Sequence, residues 1–470
     1  MSTEDLSRYK YKSLIITGLG TLMGTLDASI VNVSLPTISR ELNTTVSLVG
    51  WVVLAYSIAV FPLLMVFGAV SEKKGFQFSY RYGYLIFLIG SSLCGLAVNI
   101  YMLIISRVIQ GIGAALLIAV GPALVTRSFP DRERGRGLSI IAMVVSVGLM
   151  LGPPLGGFII GLAGWRWIFF VNVPISILGF YFTIKYIGDF PVINPHKKIG
   201  VPGAGSLLLG MLTMMLTLLL YSKNQISLGY AVGLLVFSGF LFAAFFYFEN
   251  NPATRLIGTE IFRNKVFVFS GAAMLMVFIS LISVTILMPF YLEEIKLYQP
   301  EQVGFFLMIT SVCGFILAPL AGYLSDRIQA RIVSTIGAAI MFVGFLFIRQ
   351  LDGDTSIWGI ILPLAIIGVG MAVFSTPNTS GIMGSVAKHQ LGSASGMIAT
   401  LRTLGIALGA GFSISLFTYY RNFYHGSGLS GSDSFLRAYQ SVYDITIFIL
   451  LAAIVFSLVR GRNLNNEGRR

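Results

Sequence analysis

Long apolar runs separated by short polar stretches dominate the pattern of this chain. A helix needs about 20 mainly apolar residues to cross the hydrocarbon core of a bilayer. Fourteen runs come close to or exceed that length, so the pattern predicts fourteen transmembrane helices. They are Ser13–Pro36, Ser47–Ser71, Tyr80–Val98, Tyr101–Thr126, Gly135–Leu162, Trp165–Ile187, Gly200–Ser222, Ser227–Phe248, Val266–Leu292, Gln302–Leu324, Ile332–Ile348, Ser356–Gly384, Gly392–Tyr420 and Tyr439–Val459.

Composition supports this pattern, because the mean hydropathy is +0.84, 56% of the residues are hydrophobic and 11% are charged. A soluble core of this size would need far more charged surface, so we expect an all-α polytopic membrane protein. If both termini are cytoplasmic, most of the 32 Lys and Arg residues fall in cytoplasmic stretches. This positive-inside distribution accounts for the net charge of +13, and no nucleic-acid partner is expected.

The chain contains an internal repeat. One set of residues recurs 254 positions later: Gly68, Ser71, Glu72 and Lys73 match Gly322, Ser325, Asp326 and Arg327. A second set recurs 257 positions later: Gly111, Gly113, Gly135, Gly148 and Gly152 match Gly368, Gly370, Gly392, Gly405 and Gly409. Duplication explains these ordered matches and leaves two central spans without a partner. We therefore predict six plus two plus six helices, with a six-helix bundle at 1–190, an inserted hairpin at 191–260 and a second six-helix bundle at 261–470.

Five motifs carry a resemblance to a known family. They are LDASIVNVSLP (Leu26–Pro36), GAVSEKKG (Gly68–Gly75), SRVIQGIGAA (Ser106–Ala115), GLMLGPPLGG (Gly148–Gly157) and GWRWIFFVNVP (Gly164–Pro174). Together they resemble the major facilitator superfamily, and specifically its fourteen-span branch of drug/proton antiporters. The resemblance implies the major facilitator fold, with two pseudo-symmetric bundles around a substrate cavity. The chain departs from the family pattern at Glu72, where Asp is usual, and at Gln329, where Gly is usual.

Two charged residues of the first half are candidates for proton coupling. Asp27 is the only acidic residue well inside a predicted span, where a charged Asp costs about 2.5–3.5 kcal/mol on insertion scales. A proton and a cationic substrate can compete for such a carboxylate. The structural alternatives are that Asp27 caps a broken helix or pairs permanently with an Arg. Arg107 lies in the fourth span, and the resemblance implies that it tunes the proton affinity of Asp27. Snorkelling toward the interface is the alternative for Arg107.

The run GLMLGPPLGG lies inside the predicted fifth span. Its paired prolines remove backbone donors, and its glycines leave a smooth face where another helix can come close. These properties predict a moving helix packed within a bundle. The resemblance identifies the run as the antiporter motif, formed by Gly148, Gly152, Pro153, Pro154, Gly156 and Gly157.

Charged pairs at the inner ends of spans are candidates for a cytoplasmic gate. They occur in both halves of the repeat, where they can bridge to neighbouring spans or interact with helix dipoles in one facing state. The alternative is an ordinary exposed ion pair worth about 0–1 kcal/mol. The gate candidates are Gly68, Glu72, Lys73, Asp326 and Arg327.

Further residues are candidates for a substrate cavity. Arg402 lies within a span although its repeat counterpart is Val145, so it could bind an anionic substrate group or hold backbone carbonyls. Glu293 ends the ninth span, where it could attract cations or simply be solvated. The cavity candidates are Arg402, Gln110, Trp51, Tyr56, Asn32 and Glu293. All three histidines fall in loops, so no metal site is expected.

These features predict a transporter and not an enzyme. The favoured hypothesis, implied by the resemblance, is a proton-coupled exporter of lipophilic, cationic drugs that works by alternating access. One alternative is a carrier of an endogenous lipid, siderophore or metabolite, with Arg402 engaging an anionic group. Another is a membrane binding protein or sensor that does not transport. We expect a monomer among the lipids of the plasma membrane, with the proton as coupling ion and no other cofactor.

Overall fold

The computed structural model describes residues 3–44, 46–187, 192, 200–222, 226–251, 260–298 and 300–461. Some side chains within these ranges, among them those of Asn32 and Pro153, lie outside the described part. The described residues form helices and turns, and no strand occurs among them. The α-helices are α1 (Thr3–Glu41), α2 (Val46–Val49), α3 (Trp51–Lys74), α4 (Phe76–Gly95), α5 (Ile100–Ser128), α6 (Arg134–Ala163), α7 (Trp167–Phe170), α8 (Asn172–Ile187), α9 (Val201–Ser222), α10 (Leu228–Glu249), α11 (Glu260–Arg263), α12 (Lys265–Phe290), α13 (Pro300–Arg327), α14 (Ala330–Ile348), α15 (Ile357–Ser385), α16 (Leu391–Gly426) and α17 (Gly431–Val459).

Local sequence explains where several of these helices begin and end. Asn99 starts α5, because its side chain accepts a hydrogen bond from the backbone N–H of Met102 at 2.9 Å. Asn264 starts α12 in the same way, with Val266 N at 2.9 Å. These side chains satisfy backbone donors that have no partner within the helix. Gly75 separates α3 from α4 with a φ of +88°, a conformation that glycine adopts without a steric cost.

Twelve of the described helices are long and apolar enough to cross a membrane. The helices α4 and α9, which coincide with the predicted third and seventh spans, are outside this group. Every predicted span therefore coincides with a helix, while fourteen membrane crossings remain a prediction. The predicted all-helical, multi-pass architecture is confirmed.

The chain divides into two compact units. Unit 1 comprises Met1–Leu216, Leu234–Ile261 and Val386–Thr400, and unit 2 comprises Thr217–Gly233, Phe262–Ser385 and Leu401–Arg470. Within unit 1, α1 packs against α5, α6 and α8, and α5 also packs against α3 and α4. Within unit 2, α15 packs against α13 and α14, while α17 packs against α12 and α14. The three-part division at 190 and 260 rests on the repeat and stays a prediction.

The repeat is visible in how helices of each unit approach one another. A Cβ atom at Gly113 of α5 would lie 2.5 Å from the backbone nitrogen of Phe87 in α4. In unit 2, a Cβ atom at Gly370 of α15 would lie 2.6 Å from the backbone nitrogen of Met341 in α14. Gly113 and Gly370 are partners in the repeat, so both units use the same glycine to bring equivalent backbones into contact.

Candidate functional site

A carboxylate and a guanidinium meet in the interior of unit 1. Asp27 of α1 and Arg107 of α5 are 0% and 1% exposed. Arg107 Nη1 lies 2.6 Å from Asp27 Oδ2. Because both groups lie within apolar helices and away from solvent, each needs partners from the protein. Arg107 therefore does not snorkel toward an interface in this conformation.

Two buried amides complete the surroundings of the Asp27 carboxylate. Gln110 Nε2 donates to Asp27 Oδ1 at 2.9 Å, and Asn172 Nδ2 donates to the same oxygen at 3.0 Å. Gln110 also donates to Ser91 Oγ at 2.8 Å. The charged carboxylate thus accepts from a guanidinium and two amides, and we call Asp27, Arg107, Gln110, Asn172 and Ser91 the Asp27 cluster.

Arg107 has anchors that do not depend on Asp27. Its Nε donates to the backbone carbonyl of Val52 in α3 at 3.0 Å, and its Nη1 donates to Gln110 Oε1 at 2.5 Å. The guanidinium carbon also lies 4.3 Å from the ring centroid of Tyr56, a cation–π distance. Arg107 is therefore held in place by contacts with α3 and α5 as well as by Asp27.

Asp444 is a second acidic residue within a predicted span, but its surroundings are different. It is paired with Arg349, the residue directly after α14, and 44% of its side chain is exposed. A half-exposed ion pair of this kind needs little compensation for desolvation. Of the two acidic residues that lie inside predicted spans, Asp27 is thus the buried one.

The antiporter-motif glycines lie against α1 at the level of Asp27. A Cβ atom at Gly148 would collide with Thr25, one at Gly152 with Ser29, and one at Gly156 with Ile30. The three glycines follow one another at intervals of four residues and so share one face of α6. Close packing of α6 on α1 therefore depends on them.

The rest of the motif has a different environment. Gly157 has no atom within 4 Å of its Cβ position, and Pro154 is exposed. The side chain of Pro153 lies outside the described residues. The helix α6 continues through both prolines from Arg134 to Ala163, so the predicted moving part is not a break in the helix in this conformation.

Gate candidate Glu72 bonds the start of α16 within unit 1. Its Oε1 atom, on a side chain that is 1% exposed, accepts from the backbone N–H of Ser393 at 2.6 Å. A Cβ atom at Gly68 would lie 2.5 Å from the carbonyl oxygen of Gly392, so the two segments touch through glycine. A carboxylate at a helix N-terminus gains from the free N–H groups and the helix dipole.

The other gate candidates lie in more open positions. Lys73 and Asp326 are partly buried, whereas Arg327 is exposed and its guanidinium lies 4.4 Å from the ring centroid of Tyr323 on the same helix. Their part in a gate stays a prediction.

The six cavity candidates fall into different places. Gln110 is part of the Asp27 cluster and Tyr56 lies beside it, so both are buried here. Trp51 is partly buried at the start of α3, and Glu293 is exposed in the π-helical turn Tyr291–Ile295 that follows α12. The side chain of Asn32 lies outside the described residues.

Arg402 is a cation in the part of the long helix α16 that belongs to unit 2. It is the twelfth residue of α16, about 16 Å along the axis from the first, and its side chain is partly buried. No hydrogen bond or ion pair joins it to the residues that the structure describes. An intramembrane cation without such a partner is a candidate for binding an anionic group.

The sequence of this chain matches a family model over most of its length. The model is that of the Major Facilitator Superfamily, and the match covers residues 17–410. The chain belongs to the Major Facilitator Superfamily. It is therefore a transporter, and the resemblance to this family and the expectation of a non-enzymatic function are confirmed.

Several known proteins are similar to this chain. The riboflavin transporter RibZ of Clostridioides difficile is 32% identical over 87% of this chain and 89% of its own. Multidrug resistance protein 3 of Bacillus subtilis is 28% identical over 83% and 76%. The solved structure of the human organic anion transporter MFSD10 covers 96% of this chain and 100% of its own, with a TM-score of 0.64 at 15% identity. At that identity, the solved structure supports the fold alone.

Two members of the Asp27 cluster were not predicted as site residues. Asn172 falls in the motif GWRWIFFVNVP, where it is a polar residue within an apolar run, and that was the available signal. Ser91 carries no comparable signal, because serines are common in apolar helices. Its neighbour Gly90 lets α4 approach α5, since a Cβ there would lie 2.5 Å from Gln110 N. In this member of the Major Facilitator Superfamily, helix packing thus brings Ser91 to the cluster.

A second buried cation lies in unit 2 just beyond the end of α17. Arg460 is 1% exposed and donates to Ser270 Oγ at 3.0 Å and to Asn378 Oδ1 at 2.9 Å. Burial, with a smaller contribution from nearby Arg331, lowers the pKa of Arg460 to about 10. Its hydrogen bonds join the end of α17 to α12 and α15.

Proposed function

We propose that this transporter is a proton-coupled exporter of lipophilic small molecules, and that Asp27 carries the proton. The observation that supports this proposal is the buried Asp27 carboxylate, bonded to Arg107, Gln110 and Asn172. Burying a titratable group deep in a membrane protein costs free energy even when protein donors surround it. Such a group is therefore expected to have a function. The relatives named multidrug resistance proteins are consistent with export.

Alternating access would follow from the protonation of Asp27. In the charged form, the carboxylate ties α1 to α5 and α8; in the protonated form, these charge-assisted bonds weaken. The proton gradient would supply the work, since one charge crossing 100 mV is worth about 2.3 kcal/mol. The bond between Glu72 and the start of α16 would open and close in step with the facing state.

Lipophilic cations are the cargo that we propose first. Because Asp27 is 0% exposed and accepts three hydrogen bonds, a cation does not reach the carboxylate in this conformation. Cargo and proton would therefore compete through the facing state that each favours, and not through simultaneous contact. We propose that the protein works in the plasma membrane as a monomer with both termini cytoplasmic.

Flux in proteoliposomes under an imposed pH gradient tests this function. Ethidium is a suitable cationic probe, and collapse of the gradient with a protonophore is the control. We expect ethidium to accumulate only while the gradient exists. Flux that ignores the gradient would contradict proton coupling, and absence of flux for any cargo would favour a binding protein or sensor.

Arg402 supports a second candidate, a carrier of a metabolite with an anionic group. The supporting observation is the partly buried guanidinium without a partner among the described residues. The relative named a riboflavin transporter suggests a matched pair of probes, riboflavin and its anionic 5′-phosphate.

The exchange of Arg402 separates the two candidates. If Arg402 binds the anion, Arg402→Ala should lower transport of riboflavin 5′-phosphate roughly tenfold, because a hydrogen bond to a charged group is worth about 1.5–3 kcal/mol. Arg402→Lys should keep most of that transport, and ethidium flux should change little. Equal losses for both cargoes would contradict an anion site.

A further inference from the structure

The two amides that donate to Asp27 Oδ1 differ in what their other atoms do. Gln110 is fully engaged: its Nε2 also donates to Ser91 Oγ, and its Oε1 accepts from Arg107 Nη1. Asn172 uses only its Nδ2, at 3.0 Å from Asp27 Oδ1. Its Oδ1 atom is buried and has no hydrogen-bond partner among the described residues. A buried amide oxygen left in this state calls for an explanation.

Protonation of Asp27 changes what the amides must do. Oδ1 accepts from both amides in the charged state. When Oδ1 carries a proton, it becomes a donor, and the proton takes the place of one of the two amide N–H groups, so that Oδ1 can still accept from the other. One of the two amides must then offer an oxygen instead. Gln110 cannot turn over without losing its bonds to Arg107 and Ser91. Asn172 can turn over without losing any other side-chain bond that the structure describes.

We propose that Asn172 is a proton-linked amide switch, an inference that rests on the proposed role of Asp27 as proton carrier. In the charged state, Asn172 Nδ2–H donates to Asp27 Oδ1. When a proton binds Oδ1, the Asn172 amide rotates by about half a turn and its Oδ1 accepts the new O–H. The bond between Arg107 Nη1 and Asp27 Oδ2 is kept throughout. The unpartnered oxygen of the charged state is thus the acceptor that the protonated state requires.

The position of Asn172 links this switch to the backbone. It is the first residue of α8 and follows Val171, the turn residue between α7 and α8. Its carbonyl accepts a hydrogen bond from Ser176 Oγ at 2.7 Å, which fixes the main chain while the side chain turns. A change in the protonation of Asp27 on α1 would therefore alter a hydrogen bond at the start of α8.

The other groups around Asp27 are less suited to act as the switch. Tyr56 Oη is also buried without a hydrogen-bond partner among the described residues, but no hydrogen bond joins it to Asp27 there. The titratable ones are Arg107 of α5, Tyr56 of α3 and Cys94 of α4. Arg107 carries no acceptor, and Cys94 Sγ lies 3.9 Å from Gln110 Oε1, not from the carboxylate. At this level, α6 presents the glycines Gly148 and Gly152 to α1.

Infrared difference spectra between high and low pH test the switch in the purified full-length protein. Protonated Asp27 should give a carboxylic-acid carbonyl band that Asp27→Asn removes. In Asn172→Leu, the band should persist but shift to higher frequency, because the acid O–H has lost its acceptor. In Asn172→Ser, a hydroxyl that can rotate between donor and acceptor should return the band toward its original position. The matched control is Asn378→Leu, which replaces a buried asparagine of unit 2 bonded to Ser270 and Arg460, and should leave the band unmoved.

The outcomes separate the inference from the function on which it rests. If Asp27→Asn removes the acid band but Asn172→Leu leaves its frequency unchanged, the switch alone would be overturned. An acid band that survives Asp27→Asn would overturn the proposed proton carrier and the switch with it. If Asn172→Leu fails to fold, the infrared difference spectrum of the unmodified protein still tests the switch. The amide carbonyl band that Asn172→Ser removes should shift between high and low pH, and a fixed band would overturn the switch.

Discussion

Gly148 and Gly152 of unit 1 and their repeat partners Gly405 and Gly409 of unit 2 make equivalent contacts with different side chains. In unit 1, these glycines of α6 lie against Thr25 and Ser29 of α1. In unit 2, the glycines of α16 lie against Phe278 and Ile282 of α12. Thr25 and Ser29 thus correspond to Phe278 and Ile282. The residue midway between the latter two is Ser280, which is small and uncharged and is the counterpart of Asp27. The helix contact is common to both halves, but the carboxylate is not.

Three other members of the Asp27 cluster have apolar counterparts in unit 2. In the repeat, Arg107 corresponds to Leu364, and Gln110 corresponds to Ile367. Ser91 corresponds to Phe345. All three apolar residues are fully buried.

Unit 2 therefore teaches that the fold does not require the Asp27 cluster. A buried ion pair is weak evidence for stability, because apolar residues of similar volume often replace it without loss. Since unit 2 folds around leucine, isoleucine and phenylalanine at these positions, the charged version in unit 1 is best explained by function. The comparison predicts that proton coupling depends on unit 1, whereas both units share the same way of packing their helices.

The largest expected effect comes from converting the cluster toward its unit 2 counterpart. Arg107→Leu alone should lower the free energy of unfolding by about 3–5 kcal/mol while Asp27 stays charged, because it leaves a buried carboxylate without its cation. The double variant Asp27→Ser with Arg107→Leu should recover most of that loss and yet fail to couple cargo to protons. Thermal unfolding in detergent measures the first effect, and proton release on cargo addition measures the second.

A double variant no more stable than Arg107→Leu would contradict this comparison, because it would mean that unit 1 needs the charges to pack.

Disturbing the shared glycine contact should have a smaller effect, and a similar one in both units. Gly152→Ala and Gly409→Ala each push a methyl group into the neighbouring helix, at an expected cost of about 1–3 kcal/mol. Gly157→Ala is the matched control, because nothing lies within 4 Å of its Cβ position. It should be neutral or slightly stabilising, since alanine favours a helix. Unfolding temperatures of the three variants test this, and an equal loss in the control would refute the contact.

Much of the fold was predictable from the sequence, because apolar length and repeated glycines are strong signals in a membrane protein. Asp27 and Arg107 stood out for the same reason, as charges within apolar runs. The pairing of their side chains depends on how α1, α5 and α8 pack, and the sequence pattern does not determine that packing.

Two residues show where the pattern stops being informative. Gln110 was predicted to line a cavity, whereas in this conformation it bonds both partners of the ion pair. Arg460 follows the last predicted span, a place where basic residues are usually exposed, yet it is buried among α12, α15 and α17. In both cases, contacts between residues distant in the sequence decide the environment of the side chain.

The smallest expected effect concerns the start of α16. Glu72→Ala removes the acceptor of the Ser393 N–H and should cost about 1 kcal/mol, as the loss of a helix cap does. Hydrogen exchange at the first turn of α16 should then accelerate roughly fivefold. Arg327→Ala, which removes an exposed side chain stacked on Tyr323, is the control and should leave that exchange unchanged. If hydrogen exchange at the first turn of α16 is unchanged in Glu72→Ala, the assignment of Glu72 to the gate would be contradicted.

The most direct measurement of the central claim is proton release on addition of a transported cargo to everted vesicles. Asp27→Asn keeps the size of the side chain but cannot carry the proton, so it should abolish the release. Asp444→Asn is the matched control, because Asp444 is a half-exposed carboxylate paired with Arg349, and it should retain the release. Proton release that persists unchanged in Asp27→Asn would contradict the assignment of Asp27 as the proton carrier.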